Sequence, residues 1–512
     1  MAGWPDAVTF AGAWERAVAS RADQTFLLFE GPNGHIAEWT YAEFDAQVAR
    51  TAASLRRHGV EPGGAVHLAL ANSPAFVAVW LAAVRLGAWI VPSDPFAREP
   101  ELMGHITRTK PVVGLCARPR ATVYRAAAGE TPIIEVDEAD IDLTLFGDTE
   151  LGDWPVPRLL DRAAVMFTSG TTGVPKGVEV TQANYAFAGK AMAEAAGLHS
   201  EHRQLVVLPL FHANAQYYSF ASAIWAGASI ALIHAFSASG FVDQARRHQA
   251  THASLFAAPM RMILARTRAG TEAAALQHCW YAQNVTDDQH AEISAWLGCR
   301  PRQLYGMTET IPAVLTDEAA HPVPSSMGFV TPGCEVDVQD AQGASVPPGE
   351  VGEIVVRGDP GITLFAGYLD MAEVTAASFR DGWFLTGDRA TRDAQGRHAF
   401  AGRHSDVLKV AGENVSTVEV EAVLAEHPAV LEAAVVGRPD PVRDEVPVAF
   451  VVARNPAAAP SIEELHDWCA LRLAKAKQPR DIVLVPELPR TSVGKIRKFL
   501  LRGDAPGESM EG

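Results

Sequence analysis

Lysine is scarce in this 512-residue chain, where arginine outnumbers it several-fold within 43 basic residues set against 60 acidic ones. The formal charge of −17 argues against a nucleic-acid groove and against binding to an anionic membrane surface, both of which need a basic face. Cysteine is sparse as well. Cys116, Cys279, Cys299, Cys334 and Cys469 are odd in number and lack paired metal-ligand spacing, so they read as reduced thiols. The longest apolar stretch, near residues 75–86, falls short of the about 20 residues that a bilayer crossing needs. Glu15, Arg16, Arg21 and Asp23 interrupt the first thirty residues, against a signal peptide. No internal repeat or low-complexity tract is present. These absences predict a soluble, cytoplasmic protein.

What is there suits a globular enzyme of more than one domain. The chain is too long for one ordinary core, and its 48% hydrophobic content and mean hydropathy of +0.03 are not those of a disordered protein. From Tyr41 to Cys116 helical and strand-like patterns alternate: Ala42–His58, Ala65–Leu70, Pro74–Leu86, Trp89–Pro92 and Pro111–Cys116. That alternation predicts βαβ units and a mostly parallel sheet. Residues 117–157 read as irregular. Thr181 is placed to cap a helix that Gly197 stops. Cys334–Arg357, punctuated by Pro347-Pro348-Gly349, suits a small β subdomain.

Past Gly402 the pattern changes. Ser416-x-x-Glu419 reads as a capping box opening a helix that Pro428 ends. Strand-like segments at 430–436, 446–452 and 481–485 and a helix over 462–475 follow, and the tail beyond Arg502 reads as disordered. The fold class is α/β: a large N-terminal domain of βαβ subdomains with a small β subdomain over 1–402, and a small α+β domain over 403–512.

The most informative segment is the run Thr168-Ser169-Gly170-Thr171-Thr172-Gly173-Val174-Pro175-Lys176-Gly177. Glycines bare backbone N–H groups, hydroxyls donate to phosphate oxygens, and the lysine adds a mobile cation. Pro175 before Lys176 and Gly177 after it exclude a Walker A loop. With lysine so scarce, one inside a glycine loop points to a phosphate cradle.

This run resembles the phosphate loop of the adenylate-forming superfamily: acyl-CoA synthetases, adenylation domains and luciferases. The likeness recurs in family order at Leu208-Pro209-Leu210-Phe211-His212, Tyr305-Gly306-Met307-Thr308-Glu309-Thr310 and Trp383-Phe384-Leu385-Thr386-Gly387-Asp388. It continues at Gly402-Arg403-His404-Ser405-Asp406 and Leu488-Pro489-Arg490-Thr491-Ser492-Val493-Gly494-Lys495. Tyr305 to Ile311 and Gly412-Glu413-Asn414-Val415-Ser416 look most like the crotonobetaine/carnitine-CoA ligase branch. The resemblance implies ATP/AMP, Mg²⁺ and coenzyme A as cofactors, and a carboxylic acid and CoA as partners. No nucleic acid or membrane is expected, and a homodimer is compatible with the chain.

It also implies roles. Thr168, Ser169, Gly170, Thr171, Thr172 and Lys176 would grip the β- and γ-phosphates, Thr308 the α-phosphate, and Glu309 the Mg²⁺. Tyr305 and Gly306 would border adenine, Asp388 would take the ribose hydroxyls, and Arg403 would reach ribose or phosphate. Lys495 would bridge carboxylate and α-phosphate, and His212 would line the acyl and thiol tunnels. The mobile C-terminal domain would then exchange Lys495 for the loop holding Gly412, Glu413 and Asn414, where pantetheine passes. Lys477 and Arg480 are candidates for the CoA phosphates, though a charged helix end explains them equally well.

Three positions depart from the family pattern. Ser405 stands at the hinge where Asp or Lys is common. Tyr281-Ala282-Gln283-Asn284-Val285 replaces a Gly-Gly-Ala-Pro-like turn, putting Gln283 beside the nucleotide and acyl pocket. His212 stands where amino-acid-activating relatives place an ammonium-binding Asp, which argues against an α-amino acid substrate. The leading expectation is an ATP-dependent acyl-CoA ligase for a non-amino carboxylic acid. The alternatives are an enzyme that loads a carrier protein, one that keeps only the CoA-thioester half-reaction, and a nucleotide sensor.

Overall fold

A computed structural model describes residues 7–149, 151–168, 175–268, 270–318, 321–403, 407–410, 413–440, 444–490 and 496–501. The chain packs as two compact units, Met1–Asp337 with Val355–Leu385, and Val338–Ile354 with Thr386–Gly512. This packing division falls earlier in the chain than Gly402; it describes compactness, whereas the expected 402/403 division describes a hinge.

The first unit is built on two sheets. The seven-stranded sheet runs in the order Gly367–Tyr368, Lys176–Thr181, Arg162–Thr168, Trp89–Pro92, Ala65–Ala69, Val113–Ala117, Ile133–Val136. Its last five strands are parallel, as the alternation of apolar strands and helices predicts, and its first three are antiparallel. The nine-stranded sheet has six parallel strands at its centre, from Arg302–Tyr305 through His278–Ala282, His252–Phe256, Arg203–Val206 and Ser229–Ile233 to Thr25–Glu30. Antiparallel strands close both of its edges.

Helices between strands supply the core. Ser73 accepts a hydrogen bond from the Phe76 amide and Pro74 takes the first turn, so Pro74–Arg85 starts where its sequence dictates. Every residue of that helix is buried. Its Trp80 meets Phe10 and Tyr185 from the helices Phe10–Arg21 and Gln182–Ala196 at 5.4 and 5.3 Å between rings. Burying side chains of this size contributes about 1.5–3 kcal/mol each. Gln182–Ala196 opens on a capping box of Thr181 and Asn184 and stops at left-handed Gly197, as expected. The 117–157 stretch is more regular than its sequence suggests: a helix at Ala121–Ala128 and a strand at Ile133–Val136, both too short to show a clear period.

In the second unit, Asp444–Ala453 is the central strand, flanked by Val430–Asp440, Val407–Val410 and the parallel strand Asp481–Leu484. Thr417–Ala425 and Ile462–Ala470 bury Val420, Leu424, Leu465 and Cys469 with the sheet. Two expectations need correction. Ser416 caps the first helix by accepting from the Glu419 amide, but the return half of the box is missing because the Glu419 carboxylate pairs with Lys477 at 2.7 Å. The second helix ends at Ala470, and Lys475–Lys477 forms a separate 3₁₀ turn. The tail beyond Arg502 lies outside the described residues. No helix among the described residues is long and apolar enough to cross a membrane.

Burial pushes three histidines below their ordinary value of 6.5: His67 to about 3, His105 to about 4 and His252 to about 4. Between pH 6.5 and about 4 the unfolded chain takes up protons that the native state refuses. Stability present above that window is therefore lost as pH falls through it, with each histidine adding up to about 1.4 kcal/mol per pH unit. The urea midpoint should fall steadily from about pH 6.5 to about pH 4.5; a flat midpoint would mean these side chains are solvated.

Candidate active site

The strands that flank the glycine- and threonine-rich run pair as an antiparallel hairpin. Arg162–Thr168 leads in, Lys176–Thr181 leads out, and Thr168 lies opposite Lys176 in register. The Thr168 hydroxyl faces the Lys176 carbonyl at 3.4 Å. Ser169, Gly170, Thr171 and Thr172 lie outside the described residues. On its other edge the outgoing strand pairs with Gly367–Tyr368, and the Leu369 amide donates to the Gly177 carbonyl.

That third strand delivers the central side chain of the site. The Tyr368 ring sits 4.7 Å from the Lys176 ammonium, and its hydroxyl donates to Glu309 Oε1 at 3.0 Å. Ammonium, ring and carboxylate thus form one continuous row. Burial, and then the nearby Glu309 charge, push the Tyr368 phenol far up, so it stays a donor. Glu309 is 5% exposed and lies in the 3₁₀ turn Thr308–Thr310, where its carbonyl accepts from the Phe365 amide.

The rest of the Tyr305 motif is tightly packed. Tyr305 ends the strand Arg302–Tyr305 and is nearly buried. At Gly306 a Cβ would lie 2.8 Å from the Tyr218 hydroxyl and 2.9 Å from the Ala313 backbone, so only glycine fits. Thr308 is partly exposed, and the Thr310 hydroxyl accepts from the Met307 amide at 3.0 Å. Ile311 follows at φ +72, a left-handed value that a β-branched residue adopts only under constraint.

His212 precedes a π-helical segment, Asn214–Ala221, and is half-buried against Phe211. Its motif is held by Asn72, whose amide donates to the Leu208 carbonyl and accepts from the Leu210 amide. Within the π-helix, both polar atoms of the Asn214 amide and the Tyr217 hydroxyl are buried with no hydrogen-bond partner among the described residues. Gln283 and Asn284 are exposed; Gln283 takes φ +73, and Asn284 accepts from Gln303 at 2.8 Å.

The second unit holds the other charged pair. A left-handed Gly387 and a register shift kink the strand Trp383–Arg392, and Asp388 faces Arg403 across the ladder. Arg403 Nε lies 2.6 Å from the carboxylate of Asp388, which is 3% exposed. Thr386 supports this turn by accepting from the Asp388 amide and donating to the Ile354 carbonyl. Lys477 and Arg480 are each already paired, with Glu419 and Asp440. Glu413 and Asn414 lie on the strand Glu413–Ser416, with their side chains outside the description, as are Gly412, Ser405 and Lys495.

Sequence reasoning missed Tyr368, Asn72 and the polar face of the π-helix. A tyrosine in the Gly367-Tyr368 pair carries no local pattern; only pairing across the sheet edge reveals it. Tyr368→Phe removes the hydroxyl and keeps the ring, so Lys176 retains its aromatic partner. Loss of a donor to a buried carboxylate should cost about 1–3 kcal/mol of unfolding free energy. An unchanged urea midpoint would show that the hydroxyl does not hold Glu309.

Comparison with known proteins follows this geometry. The profile of the AMP-binding enzyme family matches residues 14–369, and that of the AMP-binding enzyme C-terminal domain matches residues 419–495. A crotonobetaine/carnitine–CoA ligase of Salmonella arizonae is 31% identical, over 96% of this chain and 98% of its own. A benzoate CoA ligase from Burkholderia xenovorans LB400 superimposes with a TM-score of 0.87 at 26% identity, covering 97% of this chain and 100% of its own. An anthranilate CoA ligase solved with anthranoyl-AMP gives a TM-score of 0.87 at 26% identity over 97% of each chain. These matches, end to end with CoA ligases, place this chain in the AMP-binding enzyme family as an ATP-dependent, AMP-forming acyl-CoA synthetase.

Proposed function

We propose that the chain joins a non-amino carboxylic acid to ATP as an acyl-adenylate and then transfers the acyl group to CoA, working in the cytoplasm with Mg²⁺. The observation that carries this is the row of Lys176, Tyr368 and Glu309 beside the hairpin turn. The first step drives a carboxylate against an α-phosphate, so cations and fixed geometry are needed where two anions meet. Lys176 and the loop hydroxyls of Thr168, Ser169, Thr171 and Thr172 bind the β- and γ-phosphates. Thr308 orients the α-phosphate, Tyr305 and Gly306 border adenine, and Asp388 accepts the two ribose hydroxyls, its carboxylate kept in place by Arg403. Lys495 bridges the attacking carboxylate and the phosphorus.

Glu309 suits Mg²⁺. Among the described residues no cluster of three or more His, Cys, Asp or Glu could cage a metal, and one buried carboxylate plus substrate phosphates is the usual arrangement for this ion. When bound, Mg²⁺ would neutralise phosphate charge. For the second step, residues 403–512 act as a mobile domain about Ser405, replacing Lys495 by the Gly412-Glu413-Asn414 loop. His212 supports a substrate without an α-ammonium, since an unpaired buried ammonium is costly. The Asn214 amide and Tyr217 hydroxyl support an acid that carries a hydrogen-bonding group.

A panel containing crotonobetaine, carnitine, benzoate, anthranilate and α-amino acids, assayed for pyrophosphate exchange without CoA and AMP release with it, tests the reading. At least one non-amino acid should support both. Exchange with no acid, together with thioester formation from a synthetic adenylate, would leave only the half-reaction. Transfer to a phosphopantetheinyl protein but not to CoA would make it a carrier-loading enzyme. Lys495→Ala should lower adenylate formation by about 10²–10³ while transfer from supplied adenylate persists. Equal loss of both steps would remove the two-conformation mechanism.

A further inference from the structure

The helix Glu99–Thr109 reaches both ends of the hairpin turn with one face. His105 and Arg108, three residues apart, lie on that face. The His105 ring stacks on Phe167 at 4.0 Å and 5° between planes, and the Arg108 guanidinium sits 5.0 Å from the same ring. Phe167 is the residue before Thr168, where the turn begins. Arg108 Nη1 also donates to the Pro175 carbonyl at 2.6 Å, next to Lys176, where the turn ends. Its Nη2 lies 3.8 Å from Met371 Sδ, in the segment that follows Tyr368.

His105 is itself held from behind. Its Nδ1 meets Ser93 Oγ at 2.8 Å, Ser93 meets His67 Nε2 at 2.9 Å, and His67 Nδ1 meets the Tyr124 hydroxyl at 2.6 Å. Gly114 makes room for that tyrosine, since a Cβ there would lie 2.1 Å from its oxygen. A surface arginine near a helix C-terminus ordinarily serves its own last carbonyls or water. Arg108 crosses instead to a carbonyl, a ring and a sulfur of three other segments, all of which frame the proposed phosphate site.

We propose that Arg108 is a positioning residue for ATP: it clamps the two ends of the phosphate-binding turn and so sets where Lys176 is presented. This rests on the reading of 168–176 as the phosphate loop. A guanidinium can serve the carbonyl and the ring face together because it is planar and forked, whereas an ammonium is a single point charge.

The test uses the full-length enzyme with its best acid. Arg108→Ala should raise KM for ATP about tenfold in pyrophosphate exchange, the scale of a displaced binding group. KM for the acid and the rate of thioester formation from supplied adenylate should stay near wild type, and Arg108→Lys should restore ATP affinity only in part. Arg108→Gln, which keeps length and a donor, serves the same purpose should the alanine variant fail to fold. Lys176→Ala is the control for the loop reading. If Lys176→Ala weakens ATP binding and the Arg108 variants do not, the inference is overturned and the loop reading stands. If adenylation and adenylate transfer fall together with the unfolding temperature, Arg108 is only structural and the inference is overturned. If Lys176→Ala leaves KM for ATP unchanged, the loop reading falls, and the inference with it.

Discussion

The strand Lys176–Thr181 is held between two antiparallel neighbours, and the charged row of the first unit depends on that clasp. One neighbour sets Thr168 opposite Lys176; the other brings Tyr368 to the mouth of the same hairpin. Gly177 makes the three-strand approach possible, because a Cβ there would meet Val165 at 2.9 Å and Leu369 at 3.3 Å. It is a glycine of close packing, not of turning. Backbone ladders therefore position the lysine and the tyrosine, and a side chain only finishes the job by reaching Glu309. A one-residue slip in either pairing would turn those side chains to the opposite face of the sheet.

The two buried carboxylates are supported differently, and the difference matches the chemistry proposed for each. Glu309 accepts a phenol O–H, which orients the carboxylate. An oriented carboxylate is the kind of oxygen ligand that suits the metal ion proposed there. Asp388 faces a guanidinium across a strand pair, which offsets the cost of burying it. A carboxylate meant to accept neutral hydroxyls loses nothing by having its charge matched.

Much of this was legible in the chain itself. Strand-helix alternation predicts the parallel sheets, Thr181 and Gly197 bound their helix, and the ordered motifs pick out Lys176, Glu309, Asp388 and Arg403. What stayed hidden has a common cause. Tyr368, Asn72 and Arg108 act through partners distant in sequence, and no local period or turn signal marks a residue whose importance lies across a sheet edge. The missing half of the Ser416 box has a related origin. Glu419 is spaced correctly, but a lysine 58 positions away competes for its carboxylate. Short elements between residues 117 and 157 fail for a different reason, since eight residues of helix hold barely two turns of pattern.

The turn at residues 281–285, which departs from the family pattern in sequence, is held by specific contacts of its own. Within the segment that stands in place of the Gly-Gly-Ala-Pro-like turn, Gln283 adopts a left-handed φ of +73, a value that glycine adopts freely. Such a conformation costs a side-chain-bearing residue about 1–2 kcal/mol, so the surroundings must impose it. Two contacts to Asn284 supply the restraint: Gln303 donates to its side chain, and Arg261 donates to its carbonyl at 2.8 Å. Gln283 itself is exposed, so its bulk is not packed into the core of the unit. The turn is thus restrained through Asn284, by its side chain and its backbone carbonyl, while the side chain of Gln283 stays at the surface.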